Sequence, residues 1–158
     1  MILKETLRHI VKKQKEELFI EEKTVEREKL KEIKFDISSA VILSGVRRCG
    51  KSTLLKQLIK KTDNFYYFNF EDPRANGFEL EDFQKLNEVL QEEFGNSKNY
   101  FFDEIQNVEK WEIFVRSMLD KNKHFIITGS NASLLSRELG TKLTGRHIRY
   151  ELMPFSYN

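Results

Sequence analysis

The sequence predicts an α/β fold, a mainly parallel sheet of five strands with helices on both faces and a helical extension in front. Three observations carry this. From Phe35 onward, short apolar runs alternate with segments of helical periodicity, the pattern of a parallel sheet crossed by helices. The first run, Ala40-Val41-Ile42-Leu43, opens onto a loop bounded by Gly45 and Gly50 and then onto a helical stretch. A later run, Tyr100-Phe101-Phe102, closes on two adjacent carboxylates, Asp103 and Glu104. At 158 residues the chain is long enough for one domain with a real core.

Residues 1–34 form the extension and residues 35–158 the sheet domain. The extension is dense in Lys and Glu and has neither Gly nor Pro. Leu3, Leu7, Ile10 and Val11 recur at helical spacing, and Leu18 to Ile20 add a second apolar patch, so one or two amphipathic helices are expected. Docking on the domain with a solvated charged face is the plain reading. A helix for a partner or nucleic acid is the alternative, and the mixed signs of the charges speak against it.

In the domain, the first strand is expected over about Ser39 to Ser44, followed by the glycine loop and a helix to about Lys61. Phe65-Tyr66-Tyr67-Phe68-Asn69-Phe70 is strongly β-prone and forms the second strand. Pro73, in Glu71-Asp72-Pro73-Arg74, ends it, because proline cannot donate to a ladder and restricts its neighbour. Leu80, Phe83, Leu86, Val89, Leu90 and Phe94 mark a helix that stops at Gly95-Asn96-Ser97. Asn99 to Phe102 is the third strand. Trp111, Phe114, Val115, Met118 and Leu119 line the next helix. Phe125 to Thr128 is the fourth strand, followed by Gly129-Ser130-Asn131 and a short helix, and His147 to Leu152 is the fifth strand.

Composition excludes several classes. Hydrophobic residues make up 39%, aromatics 12% and charged residues 33%, a globular composition with a highly charged surface. A net charge of +2 gives no electrostatic argument for nucleic acid. The single cysteine, Cys49, rules out an internal disulfide framework and a multi-cysteine zinc site and suits a reducing cytoplasm. No apolar run approaches ~18 residues, so no membrane span is expected, and the amino terminus lacks a signal-peptide core.

Gly45-Val46-Arg47-Arg48-Cys49-Gly50-Lys51-Ser52 fits the phosphate-loop pattern G-x-x-x-x-G-K-[ST] without mismatch, in the strand–loop–helix context that the pattern needs. Loop amide N–H groups and the positive end of the helix dipole converge where phosphate oxygens can be held. Gly45 and Gly50 lack a Cβ, so the loop can take special dihedrals and come close to a ligand. Lys51 can reach the β- and γ-phosphates, and the Ser52 hydroxyl can ligate Mg²⁺. Thr53, next along the helix, completes the expected nucleotide-contacting set. Arg47 and Arg48 can touch nucleotide, a neighbour or only solvent. Cys49 is either a small loop residue or a thiol made reactive by the helix N-terminus.

The paired carboxylates follow about fifty residues later. The carboxyl end of a buried parallel strand faces the ligand crevice. There Asp103 can hold Mg²⁺ beside Ser52, through water, and Glu104 can orient and deprotonate an attacking water. A strand ending in a charged turn is the alternative when the pair is taken alone. At the end of the fourth strand, Ser130, and after it Asn131, can hydrogen-bond the γ-phosphate or the water, or can cap a helix. Gln106 can contact Glu104 or the water, or simply start a helix. Arg146, in Gly145-Arg146, can act as a transition-state finger or form a surface salt bridge.

Together, Gly-Val-Arg-Arg-Cys-Gly-Lys-Ser-Thr-Leu-Leu, Phe-Asn-Phe-Glu-Asp-Pro-Arg, Phe-Phe-Asp-Glu-Ile-Gln, Ile-Thr-Gly-Ser-Asn and Leu-Thr-Gly-Arg resemble the archaeal and bacterial ATPases of the AAA+ type. Longer members of that family carry a C-terminal domain of unknown function. The resemblance covers about Val25 to the end. It implies a three-layer P-loop NTPase fold with sheet order 5-1-4-3-2, so that the fourth strand separates the strand bearing Asp103-Glu104 from the phosphate-loop strand. It implies ATP and Mg²⁺ as ligands, Asp103 and Glu104 as the Walker B pair, Ser130 or Asn131 as sensor, and Arg146 as the finger, in cis or in trans. Such proteins usually continue well past Leu-Met-Pro-Phe-Ser-Tyr. With Asn158 as its last residue, the chain is expected to lack the small helical lid and the further domain, which leaves a C-terminal domain or a homo-oligomeric neighbour to supply missing elements.

Four functions compete. An Mg²⁺-dependent ATPase, whose hydrolysis drives a conformational change, uses Glu104 beside Asp103. A GTPase would carry Asn-Lys-x-Asp after a strand, whereas Asn122-Lys123-His124-Phe125 lacks that Asp and precedes the strand. A small-molecule kinase needs an acceptor site and a lid, and has less use for a water-activating Glu. A module that binds nucleotide or a partner without turnover is the main alternative to the ATPase. Nucleic-acid association has no support from a basic stripe or a helix-turn-helix.

Overall fold

Five short strands pair into one parallel sheet in the order β2-β3-β4-β1-β5. They are β1 (Ala40–Ser44), β2 (Tyr66–Asn69), β3 (Asn99–Asp103), β4 (His124–Gly129) and β5 (His147–Glu151). Four helices accompany them among the described residues: α1 (Lys4–Glu17), α2 (Lys51–Lys60), α3 (Asp82–Phe94) and α4 (Trp111–Leu119). This is a computed structural model, and it describes residues 1–18, 33, 39–45, 50–130, 143 and 145–152. The expected second half of the N-terminal helical segment, the short helix after β4, Arg47, Arg48, Cys49 and Asn131 lie outside the described residues. The strand order is the one the resemblance implies.

Side-chain alternation assigns each strand residue to a layer. Ala40, Ile42, Tyr66, Phe68, Tyr100, Phe102, Phe125 and Ile127 pack with apolar residues of α1, α3 and α4. Val41, Leu43, Tyr67, Phe101 and Ile126 turn the other way, onto Leu54, Leu55, Leu58 and Ile59 of α2. Burial on both faces explains why the central strands read as nearly continuous apolar runs.

Strand β2 lies at one end of the sheet and would expose backbone groups there. Helix α1 covers it. The Gln14 amide acts as a one-residue strand: Nε2 donates to the Asn69 carbonyl at 3.1 Å and Oε1 accepts from the Asn69 N–H at 3.0 Å. The apolar face of α1 differs from the expected one at its start. Leu3 is 75% exposed, because its backbone is extended (φ −66°, ψ 145°) and has not entered the helical repeat. Leu7, Ile10 and Val11 are buried as expected, and Gln14 continues their stripe. Among the described residues no helix is long and apolar enough to cross a membrane.

Candidate functional site

Parallel pairing gathers the carboxyl ends of β1, β3 and β4 along one edge of the sheet, with Ser44 level with Gly129 and Phe102 level with Ile127. The first helical residue of α2 is Lys51, preceded by Gly50 with φ 93° and ψ 15°, a left-handed conformation that favours glycine. Lys51 is buried; its Nζ donates to the Gly45 carbonyl at 3.0 Å and lies 3.8 Å from Glu104 Oε1. Ser52 Oγ donates to Asp103 Oδ2 at 3.1 Å.

Asp103 is the last residue of β3 and only 3% exposed. Three hydroxyls donate to it: Ser52, Thr128 and Tyr67, the last at 3.3 Å. Burial and the neighbouring Glu104 charge push its carboxyl above the usual range, and the hydroxyl donors only partly oppose them. Tyr67 is pushed up as well, first by burial and then by the Asp103 charge. Asp103 thus sits without full compensation from the chain. A hydroxyl and a carboxylate 3.1 Å apart are hard oxygen donors of the kind Mg²⁺ takes, since that ion uses one or two protein oxygens and fills its octahedron with water and phosphate.

In a regular strand Asp103 and Glu104 would point to opposite faces. Glu104 instead leaves the strand in the left-handed region, with φ 56° and ψ 49°. For a side chain longer than Asn this conformation costs roughly 1–3 kcal/mol. Three hydrogen bonds hold it: the Glu104 N–H donates to Thr128 Oγ1 at 2.9 Å, and its carbonyl accepts from Asn107 Nδ2 at 3.2 Å and from the Asn107 N–H at 3.4 Å. Both carboxylates consequently serve one edge. Glu104 Oε2 accepts from Gln106 Nε2 at 2.6 Å and from Ser130 Oγ at 3.2 Å, while Oε1 faces Lys51.

Of the expected residues, the structure therefore brings together Gly45, Gly50, Lys51, Ser52, Asp103, Glu104, Gln106 and Ser130. Thr53 occupies the first turn of α2 beside them. Arg146 does not join them. Its carbonyl accepts from the Ala40 N–H, at the amino end of β1, and its guanidinium pairs with Asp120 at 2.6 Å. The length of β1, roughly 17 Å at about 3.3 Å per residue, separates it from the loop, so Arg146 is not a finger for its own chain's site. The surface salt bridge named as its alternative is the arrangement observed.

Two members of the site went unassigned in the sequence. Thr128 relays between the Glu104 backbone and the Asp103 carboxylate. Its signal is a polar residue closing an apolar strand. Tyr67 reaches Asp103 from the adjacent strand, and nothing distinguishes it in sequence from the other aromatics of Phe65 to Phe70.

Comparison with known proteins agrees with this architecture. The model of a family described as AAA domain matches residues 38–158. An uncharacterized protein of Methanocaldococcus jannaschii is 42% identical over 130 residues, covering 80% of this chain and 29% of that protein. One of Haemophilus influenzae is 40% identical over 127 residues, covering 73% of this chain and 31% of its own length. A second M. jannaschii protein, also uncharacterized, is 26% identical over 135 residues, 80% of this chain and 28% of its own. The chain thus spans less than a third of the length of these relatives. A parallel sheet with a glycine loop at its carboxyl edge, matched over most of its length, makes this chain a member of the AAA domain family.

Proposed function

We propose that this chain binds ATP with Mg²⁺ and hydrolyses it, as the nucleotide-binding part of an AAA-type ATPase in which turnover drives a conformational change. The observation that carries the reading is the meeting of Lys51, Ser52, Asp103, Glu104 and Ser130 at one sheet edge. Gly45, Arg47, Arg48, Cys49, Gly50 and Thr53 complete the nucleotide-contacting loop. Ser52 and Asp103 hold the Mg²⁺, which when bound neutralises charge on the phosphate oxygens.

Lys51 is kept in place by the Gly45 carbonyl and exchanges that neutral partner for phosphate oxygens. Glu104 accepts a proton from the attacking water. Ser130, bonded to the same carboxylate, senses the state of the γ-phosphate. Arg146, on the far sheet edge, would serve a neighbour's nucleotide and not its own, which makes homo-oligomerisation part of the proposal. The conformational work and its target belong to the longer protein type.

A binding module without turnover is the competing reading, since less than a third of each relative is represented here. Phosphate release by wild type and by Glu104→Gln, each with ATP and Mg²⁺, separates the two. Release by wild type that falls in the variant at unchanged ATP affinity supports hydrolysis by this chain. Equal release from both proteins rejects it.

A further inference from the structure

The observations at Gln106 go further than the catalytic pair. Gln106 lies in the 3-10 turn Ile105–Asn107, two residues past Glu104. Its Nε2 donates to Glu104 Oε2 at 2.6 Å and stands 3.5 Å from Ser130 Oγ, which donates to the same oxygen at 3.2 Å. The orientation of the amide is fixed by this contact. Swapping N and O would set the amide oxygen against a carboxylate oxygen at the same short distance.

That orientation has a drawback. Gln106 Oε1 is buried and has no hydrogen-bond partner among the described residues. A buried acceptor without a donor is unfavourable, and an apolar side chain of similar length would avoid it. A glutamine kept only for packing has no account of this. A glutamine kept for its N–H donor does.

We infer that Gln106 is a positioning residue for Glu104. Together with Ser130 it anchors Oε2 and turns Oε1 toward Lys51, and so toward the phosphate position. Oε1 is 3.8 Å from Lys51 Nζ, and the Glu104 side chain is almost fully buried, so which oxygen faces the phosphate is set by these few contacts. Without the amide, the terminal torsion of Glu104 is broad and the base loses its alignment. The inference rests on reading Glu104 as the base of hydrolysis. In that step a water oxygen bonds to the γ-phosphorus and the bond from that phosphorus to the β–γ bridging oxygen breaks, leaving ADP. One water proton passes to Glu104 Oε1. Gln106 transfers no proton.

Steady-state kinetics with ATP and Mg²⁺ give the first test. Gln106→Ala should lower kcat by roughly 10- to 100-fold, the scale expected for a misplaced reacting group, with KM for ATP unchanged. In a Glu104→Gln background the same change should produce no further loss, because the two residues act as one unit. Wild-type kcat in Gln106→Ala, or an equal extra loss in the double variant, overturns the inference. If Glu104→Gln alone leaves kcat intact, the reading of Glu104 as the base is what fails, and that outcome is distinct.

A measurement independent of turnover uses the Gln106 side-chain amide protons by NMR. One proton should be shifted downfield in wild type, should lose that shift in Glu104→Ala, and should keep it when Mg²⁺ and a non-hydrolysable ATP analogue are added. Absence of the shift in wild type, or its loss on adding the analogue, overturns the inference.

Discussion

Two groups of carboxylates in this molecule are treated in opposite ways. On the α1–α3 flank, Asp82 accepts from the Ile2 and Glu79 backbone N–H groups at 3.1 and 2.9 Å and pairs with Lys85 at 3.1 Å. Arg8 reaches Glu92 and Glu93 at 2.9 and 2.8 Å, and Lys4 reaches Glu88 and Glu92 at 3.2 and 3.0 Å. For Asp82 and Asp72 burial works against ionisation, but hydrogen bonds outweigh it, from Glu79, Ile2 and Lys85 in one case and from Arg74 and Gln14 in the other. Glu92 and Glu93 are held below the usual range by Arg8, with Lys4 adding to the first. At the sheet edge, burial instead pushes Asp103 up and hydroxyls do not fully compensate. The flank is finished as a protein structure, whereas the edge is left with a charge that a cation would satisfy.

The comparison can be broken most forcefully at Glu104. Glu104→Gln should lower kcat for ATP hydrolysis by roughly 10²–10⁴, the range for loss of a general base, and leave thermal stability near wild type. The corresponding insult on the flank should do the reverse. Asp82→Ala removes the acceptor of two backbone N–H groups and the ion-pair partner of Lys85, which keeps its bond to the Ile2 carbonyl, so it should destabilise by about 2–3 kcal/mol, measured by denaturant unfolding, with the ATP affinity of the folded protein retained.

An acid titration of stability sharpens the contrast, because the two groups have opposite signs. The folded-state pKa values of Asp72, Asp82, Glu92 and Glu93 are depressed, so their stabilisation is present above the unfolded carboxyl values of about 4 and is lost as pH falls through the folded ones. The value for Asp103 is raised, so its favourable contribution is present below the unfolded value and is lost as pH rises through the folded one. In Asp82→Ala the drop in stability below pH 4 should be shallower than in wild type.

Much of the edge was legible in sequence because its chemistry demands particular residue types at particular spacing. Gly45 to Ser52 and the carboxylate pair are of this kind. The backbone turn at Glu104 was not legible, since nothing in Asp-Glu-Ile-Gln marks a left-handed residue. It is held in place by Thr128 from another strand and by Asn107, whose side chain carries no signature for the role. Gln14 was hidden for a different reason: a polar residue on an amphipathic helix reads as solvated, and only the sheet edge beside it reveals a strand mimic. The position of Arg146, which the resemblance left open between its own chain's site and a neighbour's, had a signal in sequence. A residue that starts a parallel strand lies at the opposite sheet edge from residues that end the other strands.

The contrast between a satisfied flank and an unsatisfied edge is tested most directly by Asp103→Asn, followed by thermal unfolding with and without Mg²⁺ and ATP. Its three hydroxyl partners can rotate to serve an amide. The ligand-free variant should then be more stable than wild type by about 1 kcal/mol, as expected when an uncompensated buried charge is removed. Mg²⁺ with ATP should raise the wild-type Tm and raise that of the variant much less. A variant that is less stable than wild type without ligand, or that gains as much from Mg²⁺ and ATP, would contradict the account.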